Sequence, residues 1–154
     1  MYDIWEGLLR YGNFKSVAGD RLFATAVACI GKDVAPLENE FGCAEAVNNV
    51  VFNTFRDYAG GDLSTYRMYH SIQYNKKFIR VNTPLKGDII LSPTGYGGRT
   101  VKNGHVGIVG NNGVIMSNNS QTGLWDTHFT LDSWNDRYVK KGGYPVYYYR
   151  RISI

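Results

Sequence analysis

The side chain with the clearest capacity for covalent chemistry in this chain is the thiol of Cys43. It stands in Gly42-Cys43-Ala44-Glu45-Ala46-Val47, where an acidic, proline-containing loop passes into an apolar helical run. The first turn of a helix leaves backbone N–H groups unpaired and carries partial positive charge, and both favour the nucleophilic thiolate. Free cysteines are also among the most buried residues, so the position suits a core cysteine equally well. Whether Cys43 is a nucleophile or a core residue depends on whether the chain supplies a base for its thiol.

His105 is the histidine best placed to be that base. It follows Gly104 and opens an apolar strand that runs to Val109, at the mouth of a glycine-rich loop. A base at the end of a strand is rigidly held and can still face solvent. A cysteine and a histidine within hydrogen-bond reach make an activated thiol. The other two histidines, His70 in a tyrosine-rich segment and His128 in a late loop, are more simply interpreted as surface residues.

A third group is needed to orient the imidazole by accepting its other N–H. The strand that follows His105 in the chain ends in Ser117, Asn118 and Asn119, opposite the end that carries the histidine. Side chains alternate between the faces of a strand, so Asn118 lies on one face and the other two on the opposite face. A shift of one residue in the pairing exchanges the faces, and all three residues are therefore candidates.

Helices are predicted to come first in the chain and to position the cysteine. Gly19-Asp20 is expected to cap a helix from about Arg21 to Ile30, and a second helix should run from Cys43 to about Tyr58. The apolar stripe predicted for the first of these helices is Phe23, Ala26, Val27 and Ile30. On the second helix, Cys43 shares a face with valines at helical spacing, so its side chain points toward whatever that helix packs on.

From Phe78 onward the pattern changes to strands. The predicted strands are Ile89–Leu91, His105–Val109, Val114–Asn118 and a last strand within Tyr144–Ile154. An Asn-Gly pair at Asn112-Gly113 supplies the turn between the middle two. Residues Asn119 to Gly143, which include Trp125 and Trp134, are expected to form a polar loop. Helices followed by an antiparallel sheet make an α+β fold.

Length and composition fit one domain. The chain has 154 residues, 44% of them apolar, and we expect 1–154 to be a single catalytic domain, with 1–18 either a docking arm or part of it. No apolar run approaches the roughly 18 residues that span a bilayer, so membrane insertion is not expected. The N-terminus has acidic residues and no basic region, which argues against a signal peptide.

The net charge indicates which kinds of partner the chain could bind. The net charge of +4 comes from scattered lysines and arginines, which does not indicate nucleic-acid binding but suits an anionic polymer such as a bacterial cell wall.

Two cysteines make no disulfide framework; Cys29 is interpreted as core, and a bridge to Cys43 is not required. No spacing fits a zinc site, and Asp33, Glu38 and Glu40 are interpreted as a solvated loop rather than a calcium site. No cofactor or metal is predicted.

Four motifs together resemble the CHAP and NlpC/P60 group of papain-like peptidoglycan hydrolases. They are Gly42–Asn48, Lys86–Leu91, Gly104–Val109 and Ile115–Asn119, which occur in the family's order. The resemblance implies a papain-like fold with Cys43 as nucleophile, His105 as base and Asn118 in the third catalytic position. Gly42 stands where CHAP members often have Gln or Trp. In the third catalytic position only Asn or Ser is available, whereas NlpC/P60 members often have His there. The sequence therefore resembles CHAP members more than NlpC/P60 members.

The resemblance also implies a function. It indicates a cysteine-dependent hydrolase of bacterial peptidoglycan, either an endopeptidase or an N-acetylmuramoyl-L-alanine amidase, in a phage lysin or a tail-associated lysin. Such a protein would lie in the host cytoplasm before lysis or be carried by the virion. The alternatives are a non-catalytic wall-binding or virion structural module with the same fold, and an acyltransferase that uses the same dyad. Aromatic residues that are candidates to line a substrate groove are Tyr66, Tyr69, Tyr74, Tyr96, Trp125 and Trp134, although core packing explains most of them as well.

Overall fold

Helices pack on a six-stranded antiparallel sheet in the computed structural model, which describes residues 16–38, 42–61 and 63–154. In chain order the elements are α1 (Val17–Ala28), α2 (Cys43–Phe55), α3 (Thr65–Ile72), β1 (Phe78–Val81), β2 (Ile89–Ser92), β3 (His105–Val109), β4 (Val114–Asn118), β5 (Trp125–Thr130), α4 (Leu131–Trp134), a π-helical turn (Asn135–Lys141) and β6 (Tyr147–Arg151). The predicted α+β class is confirmed. Most of the predicted docking arm lies outside the described residues.

The strands follow the order β1-β6-β2-β3-β4-β5, and every neighbouring pair is antiparallel. Strand β3, which begins with His105, is therefore an inner strand. Its first residue pairs with Ser92 of β2, and its last pairs with Ile115 of β4. Strand β2 pairs with β3 from His105 to Ile108, and β4 pairs with its last two residues. This pairing fixes the backbone of β3 and so holds the position from which the histidine side chain leaves the sheet.

Two apolar clusters cover the two faces of the sheet. One face carries Val106, Ile108 and Met116 and packs with buried residues of α1 and α2. The other face carries Val109 and Ile115 and packs against aromatic residues from the C-terminal part of the chain. This division follows from alternation along the strands, and it decides which side chains can reach the histidine.

Helix α1 begins earlier than predicted. Its cap is Ser16, whose hydroxyl oxygen accepts a hydrogen bond from the Gly19 N–H at 2.8 Å, so the predicted Gly19-Asp20 cap is wrong. The Ser16 side chain accepts from a free N–H of the first turn, and Asp20 lies within that turn, where its charge complements the helix dipole. The buried stripe includes Leu22 and Ala26, but the predicted Val27 is 45% exposed. Ile30 lies beyond the helix and is also exposed.

The segment predicted to be a polar loop contains regular structure instead. Strand β5 lies at the edge of the sheet, and α4 follows it with a capping box made by Thr130 and Ser133. Trp125 and Trp134 are buried, and their indole N–H groups donate to the Ala26 carbonyl and the Ser92 hydroxyl, both at 3.0 Å. An edge strand with polar side chains shows little of the alternation on which strand prediction depends.

The turn before β2 explains the Gly-Asp pair of the sequence. Gly87 has φ of 90°, and a Cβ there would lie 2.0 Å from the Gly19 carbonyl oxygen, so only glycine fits. Asp88 is buried with Arg150 of β6, and the two carboxylate oxygens accept from the guanidinium at 2.9 and 2.8 Å. Asp88 also accepts from the Leu85 N–H at 2.7 Å. The pair joins the turn to a neighbouring strand at the middle of the sheet.

Candidate active site

Cys43 is the first residue of α2, and no side chain caps that end of the helix. The thiol is partly buried and packs against the apolar cluster between the helices and the sheet. Backbone N–H groups of Val106, Ala44 and Cys43 itself approach the sulfur and favour the thiolate. Both cysteines are free, and no disulfide joins Cys43 to Cys29, which is buried as predicted.

Burial has the larger effect on the thiol. It raises the pKa of Cys43 from 9.0 to about 11, although the three N–H groups act in the opposite direction. Desolvation disfavours the charged form of any acid, and here it outweighs the hydrogen bonds. Cys43 is therefore a neutral thiol at pH 7, and it needs a base at the moment of reaction.

His105 is buried at the start of β3, and its ring nitrogen Nε2 lies 3.0 Å from the Ser117 hydroxyl oxygen. The imidazole stacks on Tyr138, with ring centroids 5.7 Å apart and an angle of 10° between the planes. Burial, followed by the positive charges of His128 and Arg137, lowers the pKa of His105 to about 3. The imidazole is thus neutral at pH 7 and has a proton-accepting nitrogen.

Gly104 allows the histidine to sit where it does. A Cβ at this position would lie 2.0 Å from the Ser92 carbonyl oxygen, so the backbone before β3 passes too close to β2 for any other residue. The Gly104 N–H donates to the Thr94 hydroxyl at 2.8 Å, and that hydroxyl lies 3.0 Å from the hydroxyl of Thr65 at the start of α3. The start of β3 is therefore tied to the loop after β2 and to the start of α3.

The structure brings Ser117, rather than Asn118, to the histidine ring. Pairing of Ile108 with Met116 places Asn118 on the strand face that packs against the helices, whereas Ser117 lies on the face of His105. Asn119 has other partners: its side chain accepts from the Gln121 N–H at 2.9 Å and donates to Asp126. The catalytic role stays a prediction for each candidate, but Ser117 is the one whose side chain contacts the imidazole.

A cavity of about 870 Å³ is lined by Cys43, His105 and Asn118, the three residues predicted to be catalytic. No hydrogen bond joins the Cys43 sulfur to the His105 ring among the described contacts. A second cavity, of about 430 Å³, lies near Lys86 and Asn111, and no described cysteine or histidine lines it.

The described residues that line the larger cavity include two cations, Lys102 and Arg137, and no aspartate or glutamate. Among residues 16–38, 42–61 and 63–154, no group of three histidine, cysteine or acidic side chains could hold a metal ion. Glu40, part of the loop considered for calcium, is outside that range. Within the same ranges no helix has the length and apolar character of a membrane span.

Of the six aromatic residues considered for a groove, the two tryptophans are buried and excluded. Tyr66 lines the cavity, and it belongs to a partly exposed cluster with Tyr69, His70 and Tyr96. The Tyr96 hydroxyl and His70 Nε2 are 2.9 Å apart. Sequence reasoning missed Tyr138 and Arg137, because the helical turn that carries them was taken for a loop.

No family model matches the chain, and no curated protein matches it. Among solved structures, it is similar to the crystal structure of a wild-type endolysin, LysIME-EF1, with 20% sequence identity and a TM-score of 0.47. The match covers 77% of this chain and 62% of that one, so this chain spans less than two thirds of that protein's length. A likeness of this degree carries no chemistry, which has to be argued from the residues of the cavity.

Proposed function

We propose that this protein is a cysteine-dependent hydrolase that cleaves an amide bond in bacterial peptidoglycan, with a papain-like arrangement of its active site. The observation that carries the proposal is the meeting of Cys43 and His105 at one cavity, each at the first residue of its element. A nucleophile at an open helix start and a base at a paired strand start are both rigidly placed.

The contact with Ser117 supports different roles for the two ring nitrogens of His105. When the Nε2–H of His105 donates to the Ser117 hydroxyl, the other ring nitrogen, Nδ1, has a free lone pair. Nδ1 then takes the proton of the Cys43 thiol as the sulfur attacks the carbonyl carbon. It returns this proton to the leaving nitrogen as the C–N bond breaks, which leaves a thioester. Water, deprotonated by Nδ1, hydrolyses the thioester and restores the thiol.

Because thiol and imidazole are both neutral, proton transfer accompanies attack and does not precede it. The backbone N–H groups at the uncapped start of α2, including that of Cys43, are suited to stabilise the oxyanion of the tetrahedral intermediate. The same N–H groups explain why the nucleophile begins a helix. Neither step requires a cofactor.

Peptidoglycan as substrate is supported by the four sequence motifs and by charge. The chain carries a net charge of +4, and the described lining of the cavity has cations but no carboxylates. We take residues 1–154 to be one catalytic domain of a phage lysin or a tail-associated lysin. It would act on the wall from the host cytoplasm at lysis or from the virion. The bond cleaved is either a peptide bond (endopeptidase) or the sugar–peptide amide (amidase).

The test compares the two cysteines. Purified peptidoglycan is incubated with the parent protein, with Cys43→Ala and with the matched control Cys29→Ala, and turbidity and released amines are followed. We expect the parent and Cys29→Ala to clear the suspension and Cys43→Ala to sediment with the wall without clearing it. Clearing by Cys43→Ala at the parent rate would refute the cysteine mechanism. Wall binding by the parent without new amines would identify a non-catalytic module.

Mass spectrometry of the products assigns the bond and the acceptor. An amidase releases stem peptides with a free N-terminus, whereas an endopeptidase leaves part of each stem on the glycan. Products heavier by an acceptor molecule instead of by water would identify an acyltransferase.

A further inference from the structure

Arg137 is a cation in the cavity that no acidic side chain of the described ranges neutralises. It lies on the π-helical turn after α4 and lines the cavity with Cys43 and His105. The ion pairs found in these ranges use other basic residues, namely Lys77, Lys140, Arg150 and Arg151. Arg137 is thus available to a ligand.

A cation–π contact orients the guanidinium. Its Cζ lies over the Tyr138 ring, 5.6 Å from the centroid. Tyr138 is buried and stacks on the imidazole of His105. The charge of Arg137 also acts on His105, where it helps to lower the pKa of the imidazole. The guanidinium is therefore held close to the proposed base by a rigid aromatic ring.

We propose that Arg137 binds a free carboxylate of the peptide part of the substrate and thereby positions the scissile amide between Cys43 and His105. This rests on the proposed function. The guanidinium is planar, always charged and suited to two parallel hydrogen bonds with a carboxylate. A carboxylate bound there also offsets the positive charge that acts on His105, so a correct substrate leaves the imidazole a better base.

The test measures binding without turnover in the full chain carrying Cys43→Ala. Two wall-derived peptides are compared by calorimetry, identical except that the carboxylate beside the scissile bond is free in one and a carboxamide in the other. We expect the free carboxylate to bind about 10-fold tighter or better, since hydrogen bonds between charged groups are the strong ones. Adding Arg137→Gln should abolish this preference by weakening only the carboxylate peptide.

Lys140→Gln is the matched control, because Lys140 lies on the same turn, carries the same charge and is outside the described lining of the cavity. It should keep the preference. Equal affinity for the two peptides, no binding of either, or a preference that survives Arg137→Gln would overturn the proposal. In the active protein, Arg137→Gln should raise KM for the carboxylate substrate far more than for its carboxamide. Failure of Cys43 as nucleophile would appear in the lysis assay and leave these binding results unchanged.

Discussion

Burial sets the protonation states of the two reacting side chains. Three backbone N–H groups approach the Cys43 sulfur, yet desolvation keeps the pKa of the thiol at about 11. The same effect, with help from neighbouring positive charges, keeps the pKa of His105 at about 3. The pair therefore differs from a preformed thiolate–imidazolium ion pair, and its reactivity should rise only when substrate and base act together.

This predicts a slow and pH-dependent alkylation of Cys43. In the Cys29→Ala protein, the rate of reaction with iodoacetamide should be low at pH 7 and should still be rising above pH 9, because the thiolate fraction grows toward the raised pKa of about 11. Mass spectrometry of quenched samples gives the rate. A plateau of fast labelling already at pH 6 to 7 would show an ion pair and contradict the prediction. The double variant Cys29→Ala with Cys43→Ala, which has neither thiol, reports the background.

Substitution of Ser117 and of Asn118 distinguishes which of them orients the imidazole, because only the residue in that role should lower kcat strongly when it is replaced. If the Ser117 hydroxyl holds Nε2–H, Ser117→Ala should lower kcat by about 10-fold or more, since positioned general bases contribute about 10²- to 10⁴-fold. Asn118→Ala should have the smaller effect, because alternation places that side chain on the other face of β4. Hydrolysis rates and imidazole ¹⁵N NMR, which reports the protonated nitrogen, measure both. The reverse order of effects would assign the role to Asn118.

At the scale of elements, apolar runs bounded by glycine were predictable. Strands β3 and β4 have the predicted bounds, and the turn between them has Asn112 at φ 54° and Gly113 at φ 76°, as an Asn-Gly pair favours. The meeting of Cys43 with His105 at one cavity also followed from the elements. Which face of β4 meets the histidine did not, because it depends on the register that this turn sets. The edge strand β5 was not predicted, because its side chains do not alternate between apolar and polar. The helical turn that carries Arg137 and Tyr138 was assigned to the same predicted loop and was therefore missed as well.

The Asp88–Arg150 pair should be essential to the sheet. Asp88→Asn removes the charge that compensates a fully buried guanidinium, and loss of one partner of a buried pair costs about 3–5 kcal/mol. The free energy of unfolding, from urea denaturation at pH 7, should fall accordingly. Asp136→Asn, which breaks the exposed pair with Lys140, should change it little. A double variant, Asp88→Asn with Arg150→Met, should recover part of the loss, and equal effects of Asp88→Asn and Asp136→Asn would contradict the interpretation.

At the scale of the whole molecule, elements on both faces of the sheet contribute residues to the cavity. Cys43 comes from the helical layer, whereas the rings around His105 come from the aromatic cluster on the opposite face, which includes Trp134 and Tyr138. The first residue of β3 lies where the two layers meet. The histidine is desolvated by the aromatic layer and faces a cavity that the helical layer helps to line. Stability of the fold and the ionisation of the site are consequently linked.

That linkage predicts how stability depends on pH. The pKa of His105 is about 3 in the folded protein and about 6.5 in the unfolded chain, so between these values the unfolded chain binds the extra proton. The free energy of unfolding should therefore fall as pH decreases from 6.5 toward 3, by up to about 1.4 kcal/mol per pH unit for this one group. In His105→Gln that contribution is absent. Carboxylates such as Asp57 titrate in both proteins and cancel in the difference.

Urea denaturation of the parent and of His105→Gln at pH 7, 6, 5 and 4 measures the difference. We expect the parent to lose stability faster than the variant over this range, with the two curves diverging below pH 6.5. Parallel curves would mean that His105 accepts its proton in the folded state near its ordinary pKa. The aromatic layer would then fail to exclude water, and the imidazole would be charged at acid pH, where it could no longer accept the proton of Cys43.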